Sequence, residues 1–212
     1  MNVETIKAYH GTKKSNIPKI LENGFKPSVS TSKKEHWLGK GIYFYEDLYY
    51  AVEWNYCNFQ GINITYDKLC SNTGIIIVKI DMGNFQILDL NSGLGYTAYK
   101  TILNKINTLY SKYIDKKVDE DGDIKAIRII EKIEEKMGIK LISDFDIVCA
   151  LYYKDIFKKS RRNKGDFLVG AQKQICVKNQ DVIIEKEEYN CKGQDVEQIY
   201  KLILTNRRGH RW

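Results

Sequence analysis

Two short segments near the start of the chain constrain it more than any other feature. The first is Lys7-Ala8-Tyr9-His10-Gly11-Thr12, a strand pattern that runs into a histidine followed at once by a glycine. The second is Leu38-Gly39-Lys40-Gly41-Ile42-Tyr43-Phe44, a Gly-x-Gly turn feeding a strand that carries a tyrosine. Between them, Ser15–Phe25 reads as one short helix, with Ser15 as its cap, Pro18 near its first turn and Gly24 just past its end. Ile17, Ile20 and Leu21 form its apolar face. A histidine leaving one strand and a tyrosine entering the next build a narrow slot for a flat ligand. Binding and catalytic residues concentrate on loops held by such a scaffold.

The rest of the chain alternates strands and helices irregularly, without the regular period of a doubly wound sheet. Thr5–Tyr9 and Lys40–Tyr45 are predicted strands. Glu46 and Asp47 open a helix running to about Cys57, with Tyr50, Ala51 and Trp54 at helical spacing. Gly74–Asp81 is a buried strand, and Phe85–Leu90 is expected to pair back on it as a hairpin through a Met82-Gly83-Asn84 turn. Two helices follow, at about Tyr96–Ile114 and Asp123–Met137. The first presents Ile102, Leu103, Ile106, Leu109, Tyr110 and Tyr113, the second Ile127, Ile130 and Ile133, with Gly138 as its stop. Asp144–Leu151, Phe167–Val169, Gln174–Val177 and Val182–Glu185 are strand candidates, and Gln194–Leu204 is a last amphipathic helix.

Composition excludes several classes. A chain of 212 residues with 43% hydrophobic content suits one domain with an ordinary core. No run approaches the 18 apolar residues of a membrane span, and Met1–Thr5 lacks a signal-peptide pattern, so a cytoplasmic protein is expected. The five cysteines (Cys57, Cys70, Cys149, Cys176, Cys191) are odd in number and lack C-x-x-C spacing. With three histidines alone beside them, no metal site is expected. Cys149 and Cys176 lie in apolar strands, where cysteine behaves as a small hydrophobe. The net charge of +7 favours acidic partners, such as nucleic acid or a nucleotide.

Tyr9-His10-Gly11-Thr12, Gly24-Phe25 and Gly39-Lys40-Gly41-Ile42-Tyr43-Phe44, in this order, resemble the ADP-ribosyltransferase superfamily. The nearest branch is the poly(ADP-ribose)-polymerase and diphtheria-toxin-like one, with its His, Tyr and Glu on three strands. The resemblance implies an α/β (α+β) fold in which two small packed β-sheets form an NAD slot. It would be a single domain over residues 1–212, with a helical insert at about 96–138. It implies NAD as co-substrate and no metal. His10 would hydrogen-bond a ribose hydroxyl, the Gly11 backbone would pair with the nicotinamide carboxamide beside Thr12, and Tyr43 would pack on the nicotinamide. A second aromatic would close the slot: Trp54 by counting along the motif, with Tyr50 the alternative. His36 and His210 have no supporting context.

The third element departs from the family. Between Phe167 and Gln180 there is no Asp or Glu. Gln174 stands where the acid is expected, with Gln172 next on the same strand face. A glutamine can hydrogen-bond a ribose but supplies no negative charge and takes no proton, which disfavours polymer elongation. The basic run Lys154–Lys164 precedes this strand. Lys158, Lys159, Arg161 and Arg162 in it are the candidates for contacting a phosphate-rich or acidic target.

The expected activity is therefore mono-ADP-ribosylation of a macromolecule, protein or nucleic acid, RNA rather than DNA. By analogy with small bacterial and phage members, toxin or phage-defence work and an antitoxin partner are expected. The alternatives are an NAD glycohydrolase and a catalytically inactive module that binds NAD, ADP-ribose or RNA.

Overall fold

The computed structural model describes residues 4–27, 37–58, 64–110, 126–153 and 171–208. Among them are seven strands and six α-helices, the mixed α/β class expected. The chain forms two compact units. The first comprises Met1–Lys26, Phe44–Asp81 and Ile183–Trp212, the second Pro27–Tyr43 and Met82–Val182.

In the first unit, β1 (Thr5–Lys13) pairs antiparallel with β3 (Thr73–Asp81) along its whole length, from Thr5↔Asp81 to Lys13↔Thr73. β2 (Ile42–Tyr45) joins β1 at Tyr9↔Tyr45, and β7 (Ile183–Tyr189) joins the other edge of β3, giving the order β2–β1–β3–β7. Side chains alternate across a strand, so His10 and Thr12 share one face of β1 while Tyr9 and Gly11 share the other. Helix α1 (Ile17–Asn23) lies on the His10 face, its Ile17 methyl over Gly74. Helices α2 (Leu48–Asn58), α3 (Tyr66–Asn72) and α6 (Gln194–Arg208) cover the opposite face, where Ala51, Val52, Leu69, Ile75, Val196 and Ile203 are buried. Helix α1 ends as predicted, at Gly24 with φ 79°. It starts differently. Ser15 falls in a 3-10 turn, Asn16 is the N-cap, and the Asn16 side chain donates to Thr12 Oγ1 at 3.2 Å instead of capping. Helix α3 was not predicted: at seven residues it is too short to show a period, and its local signals are Thr65, which caps Lys68 N–H, and Asp67 in its first turn.

In the second unit the order is β4–β5–β6–β2, where β4 is Ile87–Asp89, β5 Ile147–Tyr153 and β6 Ala171–Val177. The expected hairpin of Phe85–Leu90 with β3 does not form. β4 pairs parallel with β5, Ile87↔Ile147 to Asp89↔Cys149, because both edges of β3 are already taken by β1 and β7. Asp146 fixes this arrangement. Its carboxylate accepts from Gln86 N–H and Asn179 Nδ2, both at 2.9 Å, and its carbonyl accepts from Lys178 N–H at 2.8 Å.

The predicted helices are α4 (Gly93–Leu109) and α5 (Ala126–Met137). α4 begins three residues earlier than predicted because Ser92 Oγ accepts from Gly95 N–H at 2.9 Å. Tyr99, Leu103 and Ile106 of α4 pack with Ile127, Ile130 and Ile133 of α5 over Leu88, Val148 and Cys176. Leu109, expected on that face, is 58% exposed. Each fully buried Leu or Ile here stabilises the unit by roughly 1.5–3 kcal/mol. Phe167–Val169 and Tyr113 lie outside the described residues.

Candidate active site

The candidate residues divide between the units. His10, Gly11, Thr12, Tyr50 and Trp54 belong to the first, Tyr43 and Gln174 to the second. Lys158, Lys159, Arg161 and Arg162, like His36 and His210, lie outside the described residues.

In the first unit the half-buried His10 ring packs edge-on to Phe25 at 5.2 Å and tilted to Phe44 at 5.6 Å. Phe25 and Phe44 are themselves in edge contact at 5.1 Å. The Gly24-Phe25 step thus has a physical role: it ends α1 and delivers the aromatic that walls the imidazole. On the other face Gly11 allows α2 to press on β1. A Cβ there would stand 2.6 Å from the Ala51 carbonyl oxygen and 2.8 Å from Asn55 Oδ1. Asn55, which the sequence did not single out, is buried and donates to the Gly74 carbonyl at 3.0 Å, tying α2 to β3. Tyr50 and Trp54 flank Tyr45, at 6.3 and 6.5 Å between ring centroids. Trp54 is 40% exposed and so keeps open ring surface; Tyr50 is less exposed. Burial raises the Tyr45 and Tyr50 phenols above their ordinary range.

In the second unit the Gly-Lys-Gly turn is held from three sides. The Tyr43 hydroxyl accepts from Leu38 N–H at 3.0 Å and donates to the Gly39 carbonyl at 2.9 Å, closing the loop that precedes its own strand. Burial pushes this phenol well above its usual pKa, so it stays protonated. Glu131 of α5 accepts from Lys40 N–H with both oxygens, at 2.9 and 3.0 Å. Lys178 Nζ bridges Glu131 at 2.5 Å and the Lys40 carbonyl at 3.1 Å. Gly39 has φ 88°, and a Cβ on it would overlap the Glu131 carboxylate. A Cβ on Gly41 would meet Cys176 Sγ at 2.5 Å. Both glycines are thus demanded by packing against α5 and β6. The Lys40 ammonium pairs with Glu135 at the surface.

Gln174 and Gln172 point to the same face of β6 as Cys176, and all three are buried. Gln174 Oε1 accepts from Trp37 Nε1–H at 2.7 Å. Trp37 was missed in the sequence, although its position directly before Leu38-Gly39 placed it beside the motif. Burial pushes the Cys176 thiol up to about 12, and Cys149 is buried as expected. Among the described residues no group of three or more His, Cys, Asp or Glu is placed to hold a metal ion. No described helix is long and apolar enough to cross a membrane.

The chain is 28% identical over 195 residues to an uncharacterized protein of Methanocaldococcus jannaschii, an alignment covering 86% of each chain. No solved structure matches. Residues 2–94 match the model of the poly(ADP-ribose) polymerase catalytic domain, a span that holds His10-Gly11-Thr12 and Gly39–Phe44 but not Gln174. This match supports placing the chain with the ADP-ribosyltransferase-like superfamily.

Proposed function

We propose that the protein is an NAD-dependent mono-ADP-ribosyltransferase acting on a macromolecule, with release of nicotinamide. The match of residues 2–94 to the poly(ADP-ribose) polymerase catalytic domain carries this reading. In the reaction the bond between nicotinamide nitrogen and ribose C1′ breaks, nicotinamide leaves with the electron pair, and an acceptor nucleophile bonds to C1′ and gives up its proton to solvent. Positive charge develops on the ribose, as in glycoside cleavage, so the protein's work is positioning and electrostatics.

His10, held by Phe25 and Phe44, binds a ribose hydroxyl. The Gly11 main chain pairs with the carboxamide beside Thr12. Tyr43 offers its ring to the nicotinamide while its hydroxyl stays engaged with Leu38 and Gly39. Trp54, with open ring surface, closes the slot; Tyr50 is the alternative. Gln174 orients the ribose in place of the acid, which restricts the enzyme to single transfers because no carboxylate draws a proton from a growing chain. The basic residues Lys158, Lys159, Arg161 and Arg162 meet the acceptor, either an acidic protein surface or a nucleic acid, RNA rather than DNA. By analogy with toxin-like transferases, a toxin or phage-defence role in the cytoplasm, with an antitoxin to restrain it, belongs to this proposal.

The neutral Gln174 also favours a second reading, a module that binds NAD, ADP-ribose or RNA without catalysis. Incubation with NAD labelled in its adenylate portion, beside separate pools of protein, RNA and DNA, distinguishes the readings. Label in one pool with equimolar nicotinamide supports transfer. Free ADP-ribose with no labelled pool identifies a glycohydrolase. NAD binding without nicotinamide release identifies the binding module.

A further inference from the structure

We propose that Trp37 is a positioning residue that turns the Gln174 amide so that its nitrogen, not its oxygen, faces the nicotinamide ribose. This rests on the reading above that Gln174 faces that ribose. An indole N–H is a donor and never an acceptor. The Gln174 atom 2.7 Å from Trp37 Nε1 must therefore be the carbonyl oxygen, since the flipped amide would set N–H against N–H. Gln174 is buried in β6, on the same strand face as the buried Gln172 and Cys176. The far end of the amide is then an NH₂ group.

The chemical consequence is specific. A carboxylate at this position would accept the ribose hydroxyl proton and leave negative charge near C1′, stabilising the cation that forms there. The amide held by Trp37 instead donates to a hydroxyl lone pair and brings partial positive charge to the same place. Trp37 thus makes Gln174 a locator of the ribose and a brake on cleavage of NAD. The two oxygens of a carboxylate are equivalent acceptors, so in the Gln174→Glu background one oxygen meets Trp37 and the other the ribose, with no orientation left to fix.

The test is a cycle of Trp37→Phe and Gln174→Glu, read by kcat for nicotinamide release, KM for NAD and calorimetric NAD affinity. Trp37→Phe should raise kcat about tenfold in the native background, the worth of one hydrogen bond turned from opposing to supporting the cation. KM should stay within about twofold, as for an interaction that differs between ground and transition states. In the Gln174→Glu background Trp37→Phe should have little effect on kcat. Trp37→Leu, which also removes the donor, stands in if Trp37→Phe does not fold; an unchanged or lowered kcat in a folded variant lacking the donor overturns the proposal. An equal effect of Trp37→Phe in both backgrounds also overturns it while leaving the site reading intact. If Gln174→Ala changes neither NAD affinity nor nicotinamide release, Gln174 does not face the ribose, and the site reading fails together with this inference.

Discussion

Replacing Glu131 by alanine should strongly destabilise the protein. The Glu131 and Lys178 side chains are only 10% and 11% exposed, and their charges meet at 2.5 Å. Without the carboxylate, the Lys178 ammonium remains buried with the Lys40 carbonyl as its remaining acceptor, and Lys40 N–H loses both of its bonds. Breaking a buried pair from one side costs about 3–5 kcal/mol, because an uncompensated charge is left behind. For a chain of this size that corresponds to a melting temperature lowered by roughly 6–20 °C. The exposed pair Lys40–Glu135, with side chains 52% and 60% exposed, is the internal control, and Glu135→Ala should cost no more than about 1 kcal/mol. Urea unfolding of Glu131→Ala, Lys178→Met and the double variant Glu131→Leu with Lys178→Met measures the coupling. Removing both charges should cost less than removing either, since no orphan charge remains. If Glu131→Ala costs under about 1 kcal/mol, or if the two single losses simply add, the pair is solvated and the reasoning fails.

Three further outcomes follow from the same geometry. His10→Ala should abolish nicotinamide release while circular dichroism shows an unchanged fold; full activity in the folded variant would remove His10 from the site. Gly11→Ala should lower the urea midpoint by the equivalent of about 1–3 kcal/mol or more, since the new methyl meets the Ala51 carbonyl and Asn55, and a silent substitution would show that α2 does not press on β1 there. The Cys176 thiol has its pKa raised by burial from 9.0 to about 12. The native state therefore holds its proton where the unfolded state releases it, so the stability due to this group is full below pH 9 and falls as pH rises toward 12. Stability measured across that range should decline less in Cys176→Ala than in the native protein; identical profiles would refute the shift.

The sequence by itself determined the elements whose causes are local. Gly24 and Gly138 stop helices where the chain says they should, each with positive φ, and the apolar period of Ile127, Ile130 and Ile133 marks the buried side of α5. The motif residues could likewise be read in order, because a Gly-x-Gly turn and a His-Gly step are short-range patterns. Pairing could not be read so. A hairpin from β3 to β4 is the cheapest closure for the local chain, and it loses because β1 and β7 occupy both edges of β3 and Asp146 fixes β4 beside β5. The supports of the candidate site were also beyond the sequence. Trp37 and Gln174 lie 137 positions apart, and Glu131 lies 91 from Lys40. A hydrogen bond between such residues leaves no trace in periodicity or spacing. Only the tertiary structure decided that the glycines around Lys40 admit a carboxylate and a thiol, and that the oxygen of Gln174 is already engaged, because burial and donor–acceptor matching are properties of the packed chain.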